Sequence, residues 1–446
     1  MAEPDAAQSG GAGGRRYPRR GGLAVLLTMA DGSRDDSGPD SVRAQYEAYP
    51  YPARDPRDEG KRLITGSPSH LTELTHWLFA GRIPDDGPFR VLVAGGGTGD
   101  ALTMLAQQTA DAQIDAAITY IDLSAASRRI AEERIARRGL SDRVTFVTGS
   151  LLDAGEFGPF DYIDCCGVLH HLPDPSAGFR TLGAALAPGG GMGIMVYGRY
   201  GRMGVYETQA ALRLLAPEEG EAPARRIAFA RRFLASLPPS NRLMRNPVVT
   251  DHKTGGDAGI YDLLLHSTDR SYTVPELEAE IEGAGLRRVA YIDPARYEPA
   301  TYIREQDFLK RARALSPGEC AAVAEAVAGN ITMHNAYLVR ADRTDEPIAD
   351  IASDAVPVFR DPATQAEFRA MPAGATAMPM SVDGLNLSVP LPRDAKAILD
   401  RIDGGRSLEE IRAAMPDAPD WDAFRARFEP VFRALNGFSR LFLKAP

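Results

Sequence analysis

Cysteine is scarce: the 446-residue chain holds three, Cys165, Cys166 and Cys320. Two neighbours and one distant residue make neither a disulfide framework nor the spacing of a zinc site. A reducing, cytoplasmic setting is therefore expected, and no metal constellation is visible. Long apolar runs are missing as well. Nothing approaches the ~20 residues of a membrane span, so no membrane association is expected. Positive charge is not in excess either: 51 Lys and Arg face 60 Asp and Glu, a net charge of −9. That balance argues against broad nucleic-acid binding, although it leaves a local basic patch open. Internal repeats are absent. What remains is the composition of an ordinary globular protein, 44% hydrophobic and 25% charged, long enough for two or more domains.

Residues 1–40 are rich in Gly, Arg, Asp and Ser and carry too little apolar surface to fold, so disorder is expected there. Arg15–Arg20 before Leu23–Leu27 superficially resembles a secretory signal. The apolar run is short, however, and Asp31, Arg34, Asp35 and Asp36 follow it. A start at Met29 is the favoured reading. Residues 41–89 form an N-terminal helical and aromatic cap, in which Tyr46, Tyr49 and Tyr51 are stiffened by Pro50 and Pro52. That segment is either an arm packed on the core or a lid over a ligand pocket.

From residue 90 the chain alternates short apolar strands (Arg90–Ala94, Ala117–Ile121, Val144–Val147, Phe160–Asp164, Met192–Tyr197) with helical patterns. Alternation of this kind predicts a parallel sheet with helices on both faces. A helical insertion is expected over about 200–270, with Asn246–Gly259 as a loop and the arginines 225, 226, 231 and 232 as a solvated face. The strand–helix rhythm resumes to Val339. Residues 341–357 read as an acidic linker. The last stretch, 358–446, is compositionally separate, with three candidate helices and a closing strand at Phe438–Leu443. A length of roughly ninety residues just sustains a core of its own.

The chemistry centres on Val91–Asp100, where four apolar residues run into Gly95-Gly96-Gly97-Thr98-Gly99 and then into a helix. Strand, tight turn and helix N-terminus open a nucleotide-type α/β site. Asp122 stands 27 residues after Gly95, at the end of the second strand, where an acid accepts bonds from both hydroxyls of a ribose. Gly149–Asp153 ends the third strand, where an adenine edge can meet Ser150 or Asp153. A dinucleotide binder wants G-x-G-x-x-G, whereas here Gly99 closes the turn and Asp100 begins the helix. An acid at that terminus repels phosphate and already satisfies the helix dipole. A sulfonium nucleoside without phosphate suits this turn better, which leans toward S-adenosylmethionine.

Together with Cys166-Gly167-Val168-Leu169-His170-His171-Leu172 and the Pro188-Gly189-Gly190 turn, these features resemble the class I S-adenosylmethionine-dependent methyltransferases over residues 41–340. Within the class, the chain is similar to a bacterial subgroup with a Tyr-Pro-Tyr-Pro segment, a Gly-Val-Leu-His-His turn and a segment like Leu265–Val274. The resemblance implies a Rossmann-like seven-stranded sheet at 90–340 with its helical insertion; the helices and terminal strand of 358–446 add a small C-terminal α+β accessory domain, of which a winged helix is one form. The same resemblance implies S-adenosylmethionine as cofactor, with contacts from Gly95, Gly97, Thr98, Gly99, Asp122, Leu123, Ser150, Leu151 and Gly167. Val93 and Ser150 depart from the class, since many members carry acids at both places. His170 and His171 are the acid–base candidates. Because adjacent residues on a turn point apart, at most one faces the substrate. His252, His266 and Asp269 lie on the expected substrate side. Cys165 and Cys166 read as buried strand-end residues. The acceptor stays open between a small molecule and a protein; Cys166–Leu169, where chains acting on amide nitrogens often carry an Asn-Pro-Pro-type segment, favours a small molecule or another acceptor, and the oligomeric state is not read. Two other readings remain at this stage, a nicotinamide-dependent oxidoreductase and a non-catalytic cofactor-binding regulator.

Overall fold

The computed structural model describes residues 39–215 and 222–446. The expectations placed on residues 1–38, including the start at Met29, lie outside them. Helix α1 (Pro39–Ala48) begins two residues before the expected cap, and α2 (Leu71–Leu78) lies on the sheet. The strands β1 (Phe89–Ala94), β2 (Ala116–Asp122), β3 (Val144–Thr148), β4 (Phe160–Cys166) and β5 (Leu186–Tyr197) alternate with α3 (Asp100–Asp111), α4 (Ala125–Arg137) and α5 (Pro175–Ala184). Insertion helices α6 (Val205–Leu215) and α7 (Pro223–Ser236) follow. Next come α8 (Val274–Gly283), β6 (Leu286–Tyr291), α9 (Pro317–Ala328) and β7 (Met333–Arg340).

The seven strands form one sheet in the order β3-β2-β1-β4-β5-β7-β6. The expected parallel pairing runs from β3 to β5. It does not extend to β7, which lies antiparallel between β5 and β6. Residue alternation explains how β1 serves both faces. Leu92 and Ala94 enter a core shared with Phe179 and Leu277, while Val91 and Val93 pack with Leu78, Leu102 and Ala131 on the other side. Strand order reverses at β1 and β4, and in open α/β sheets ligands bind outside the carboxyl ends of the strands at such a point.

Two sequence expectations need correction here. The Asn246–Gly259 segment contains helical turns, Asp251–Thr254 and Gly256–Ile260, which lead into a π turn at Tyr261–Leu265. Residues 341–357, expected as a linker, are pinned to α2: Ala80 N donates to Pro347 O at 2.7 Å and Ala349 N to His76 O at 2.8 Å.

The C-terminal stretch pairs β8 (Val356–Phe359) with β11 (Leu441–Lys444), antiparallel, around α10 (Pro362–Arg369), a hairpin and α11 (Trp421–Asn436). The hairpin, β9 (Ala377–Val382) and β10 (Leu385–Pro390), was missed in the sequence although Asp383-Gly384 joins its strands, both residues with positive φ. This stretch has a core of its own around Phe424, Phe428 and Ile398. Phe442 nevertheless belongs to the sheet's core, beside Trp77.

Candidate cofactor pocket and its polar wall

The glycine turn is shaped by backbone and packing together. Gly95, Gly97 and Gly99 have φ of 69°, 50° and 93°, which side chains resist. A Cβ on Gly96 would run into the Tyr120 ring, and one on Gly95 into Val168. Tyr120 Oη donates to Gly97 O at 2.6 Å, fixing the turn over β2. Gly97 N then donates to Asp122 Oδ2 at 2.8 Å, and Ser124 N to Oδ1 at 2.8 Å. Burial pushes the Asp122 acid up, and the two amides pull it back. Each oxygen keeps a lone pair for a further donor, the arrangement a vicinal diol requires.

A pocket of about 410 Å³ opens at the carboxyl ends of the strands. Gly95, Gly97, Asp122, Leu123, Ser150, Leu151, Gly167 and His171 line it. The other three sequence candidates do not. Thr98 is buried with Oγ1 donating to Pro52 O at 2.7 Å. Gly99 sits where a Cβ would press on Ala131 of α4, so it serves helix packing. His170 is buried with neither ring nitrogen hydrogen-bonded, its ring 4.0 Å from that of Tyr197. Burial depresses its basicity strongly, and the neighbouring His171 adds to the effect.

Tyr49 of the aromatic segment stacks on Tyr261 at 5.6 Å, while Tyr46, Tyr51 and Pro52 line the pocket. Arg54 anchors the segment, its Nε donating to Asp100 Oδ1 at 2.9 Å and its Nη2 to Oδ2 at 2.6 Å. Asp100 is also bound by buried Arg134, which holds Glu59 as well. This network left no sequence signal, because its members are up to 80 positions apart.

Opposite the glycine turn stands a polar wall from β5, the turn after β4 and the insertion. His171 Nδ1 lies 2.9 Å from Thr268 O. A carbonyl only accepts, so Nδ1 carries a proton, and in the neutral ring the lone pair is on Nε2. Asp269 lies behind, 4.0 Å from Nδ1. The His266 ring stacks on His171 at 3.8 Å, and its Nδ1 accepts from Thr268 N at 3.1 Å. An amide only donates, so the His266 proton is on Nε2, 3.4 Å from Tyr46 Oη. Tyr46 and Tyr197 then donate to the two oxygens of Asp262 at 3.2 and 3.3 Å. Burial raises the Asp262 acid. His171, Asp262 and His266 also bring ligand-type atoms within 4.8 Å of one another. A metal ligand needs its lone pair outward and its other nitrogen protonated, and His266 has the reverse. Arg226, expected on a solvated face, braces this wall by donating to Tyr261 Oη at 2.7 Å and Leu265 O at 3.1 Å. Of the three residues expected on the substrate side, none lines the pocket: His266 and Asp269 stand behind His171, and His252 lies away from them. Asp262 and Arg226 were not foreseen.

With this geometry in hand, comparisons with known proteins agree on the fold. A family model described as a methyltransferase domain matches residues 92–192. An uncharacterized protein of Synechococcus sp. is 34% identical over 313 residues, 68% of this chain and 72% of its own. A ubiquinone biosynthesis O-methyltransferase of Bordetella avium is 28% identical over 222 residues, 47% of this chain and 86% of its own. In three dimensions, PKMT2 from Rickettsia typhi in complex with AdoHcy superposes with a TM-score of 0.57 at 15% identity, covering 85% of this chain and 75% of that one.

Proposed function

From a chain that belongs to the class I S-adenosylmethionine-dependent methyltransferases, we infer transfer of the methyl group to a hydroxyl of a small molecule, with His171 as general base. S-adenosylmethionine supplies an electrophilic methyl carbon on its sulfonium. Asp122 suits the ribose diol, and Ser150 and Leu151 at the end of β3 suit the base. The oxidoreductase and regulator readings find no support in the family match. Among the described residues no helix is long and apolar enough to cross a membrane.

The observation that carries the reading is the fixed tautomer of His171. With Nδ1–H held by Thr268 O, Nε2 is a proton acceptor on a ring that lines the pocket. A hydroxyl is a weak nucleophile until its proton is taken, so it is the acceptor that gains from such a base. Alignment of the acceptor with the methyl carbon supplies the larger part of the rate. Tyr46 and Tyr51 close the pocket over the reacting groups and limit water. The oxygen acceptor named for the Bordetella relative supports the same choice. The His170 candidate is set aside as a base, because its ring nitrogens face no partner and it does not line the pocket.

Incubation with methyl-labelled S-adenosylmethionine and a fractionated cell extract tests the proposal. Label is expected in a low-mass ether with the wild type, and reduced about a hundredfold with His171→Gln, while cofactor binding persists. Label only in protein would overturn the small-molecule acceptor. Equal labelling by His171→Gln would overturn the base.

A further inference from the structure

The irregular segment Ile64–Ser69, just before α2, forms one side of the pocket through Ile64, Thr65, Gly66, Ser67 and Ser69. It pairs with no strand, so its shape depends on what ties it down. Most of the ties come from the methyltransferase sheet and α3. Gly66 N donates to Met104 Sδ at 3.3 Å, and Tyr162 Oη and Tyr337 Oη donate to Pro68 O at 2.9 and 2.8 Å. Ser69 Oγ donates at 2.7 Å to Asp164, which lies on β4 as the register partner of Val93.

Ser67 is tied differently. Its Oγ donates to Glu73 Oε2 on α2 at 2.8 Å, and Arg360 Nη2 donates to the same Oγ at 3.2 Å. A serine hydroxyl has one hydrogen, so Glu73 takes that hydrogen and Arg360 takes a lone pair, which fixes the side chain from two sides. Arg360 Nη2 also lies 3.9 Å from Glu73 Oε2. Glu73 is fully buried, and burial raises its acid to about 7 against the pull of Arg360 and Ser67. Arg360 belongs to the C-terminal stretch. It directly follows β8, and its N donates to Arg440 O at 3.1 Å. Phe359 before it stacks on Phe368 at 5.7 Å, and Asp361 after it caps α10 by accepting from Thr364 N at 2.7 Å. The guanidinium is rooted in the C-terminal core and ends at the pocket wall.

We infer that the C-terminal stretch completes the pocket, with Arg360 as a positioning residue that holds Ile64–Ser69 in its ligand-binding shape through Ser67 and Glu73. Without the guanidinium, Ser67 loses its donor and Glu73 loses the cation that faces it. Burial then favours the neutral carboxyl group. A neutral carboxyl group both donates and accepts, so the direction of the bond to Ser67 is no longer fixed. Pro68 and Ser69 keep their own partners, and the loss is confined to the middle of the segment. The effect reaches a bound ligand although Arg360 itself does not line the pocket.

The inference rests on the cofactor reading, and wild-type binding separates the two. Calorimetry with S-adenosylmethionine is run on the full chain as wild type, Arg360→Met, Ser67→Ala and the double variant. Arg360→Met and Ser67→Ala are each expected to weaken binding about three- to tenfold. The double variant is expected to lose no more than the larger single loss, because both substitutions break one link. Unchanged affinity in Arg360→Met would overturn the assignment. Losses that multiply in the double variant would do the same, because they mark two independent supports of the fold. If Arg360→Met does not fold, Ser67→Ala decides alone, and wild-type affinity in that variant overturns the assignment. A wild type that binds neither S-adenosylmethionine nor 5′-methylthioadenosine, its nucleoside fragment without the amino-acid portion, would overturn the cofactor reading and the inference with it.

Discussion

Arg134 Nη1 meets Asp100 Oδ1 at 2.7 Å, joining the last turn of α4 to the first residue of α3 beneath the glycine turn. The same guanidinium reaches Glu59 through Nε at 2.6 Å and Thr98 O through Nη1 at 2.8 Å. Asp100, which alone would only repel anions at a helix N-terminus, is therefore shared between two arginines. Through Arg54 it also fastens the aromatic arm to the turn. Arg134 is 1% exposed, so removing it leaves Glu59 buried beside Arg138 alone. Arg134→Met is expected to lower the unfolding free energy by about 3–5 kcal/mol. Urea denaturation checks this, and a loss under about 1 kcal/mol would mean that water replaces the guanidinium.

Arg54 offers a contrast, since its side chain is 30% exposed. Its pair with Asp100 is worth little to global stability once solvent screening is allowed for. Its effect is on the arm. Arg54→Ala is expected to leave the urea midpoint nearly unchanged and to speed release of bound S-adenosylmethionine several-fold, measured by stopped-flow. Unchanged release would separate the arm from the pocket.

Asp122→Ala removes both acceptors meant for the ribose. The expected weakening of S-adenosylmethionine binding is about 1–3 kcal/mol, and 5′-methylthioadenosine should weaken equally. Calorimetry showing no change would take Asp122 out of the site.

His76 gives a pH signature at the junction with the C-terminal stretch. Its ring is 1% exposed among Trp77, Phe432 and Phe442, and burial lowers it to about 3. The unfolded chain binds a proton near pH 6.5 that the folded one refuses. His76 therefore contributes stability above pH 6.5 that is lost as the pH falls toward 3. Neighbouring His70, lowered to about 4 mainly by burial, acts in the same sense. Glu73 and Asp164, raised by burial to about 7 and about 6, act oppositely, losing stability as pH rises from the ordinary carboxyl range. The comparison with His76→Phe isolates the one group. The stability of the wild type relative to that variant should fall by about 2 kcal/mol between pH 7 and pH 5, read from urea curves at each pH. A constant difference would show that His76 titrates normally.

Local order in the chain was enough for much of this protein. Apolar runs ending at Ala94 and Ile121, the glycines after β1, and Asp122 at a strand end each depend on neighbours within a few positions, so period and turn chemistry reveal them. The helix capped by Ser124 belongs to the same class. Other features depend on where distant segments meet. Register sets Asp164 beside Val93, and no spacing in the sequence announces it. The tautomers of His171 and His266 follow from the carbonyl and the amide of one residue, Thr268, about a hundred positions from the first and two from the second. His170 and His171 look alike in the chain and are both buried, yet the fold turns only His171 onto the pocket wall. The antiparallel insertion of β7 and the packing of Phe442 into the sheet's core are likewise long-range. A hydrophobic period says which face is buried, and only the assembled sheet says against what.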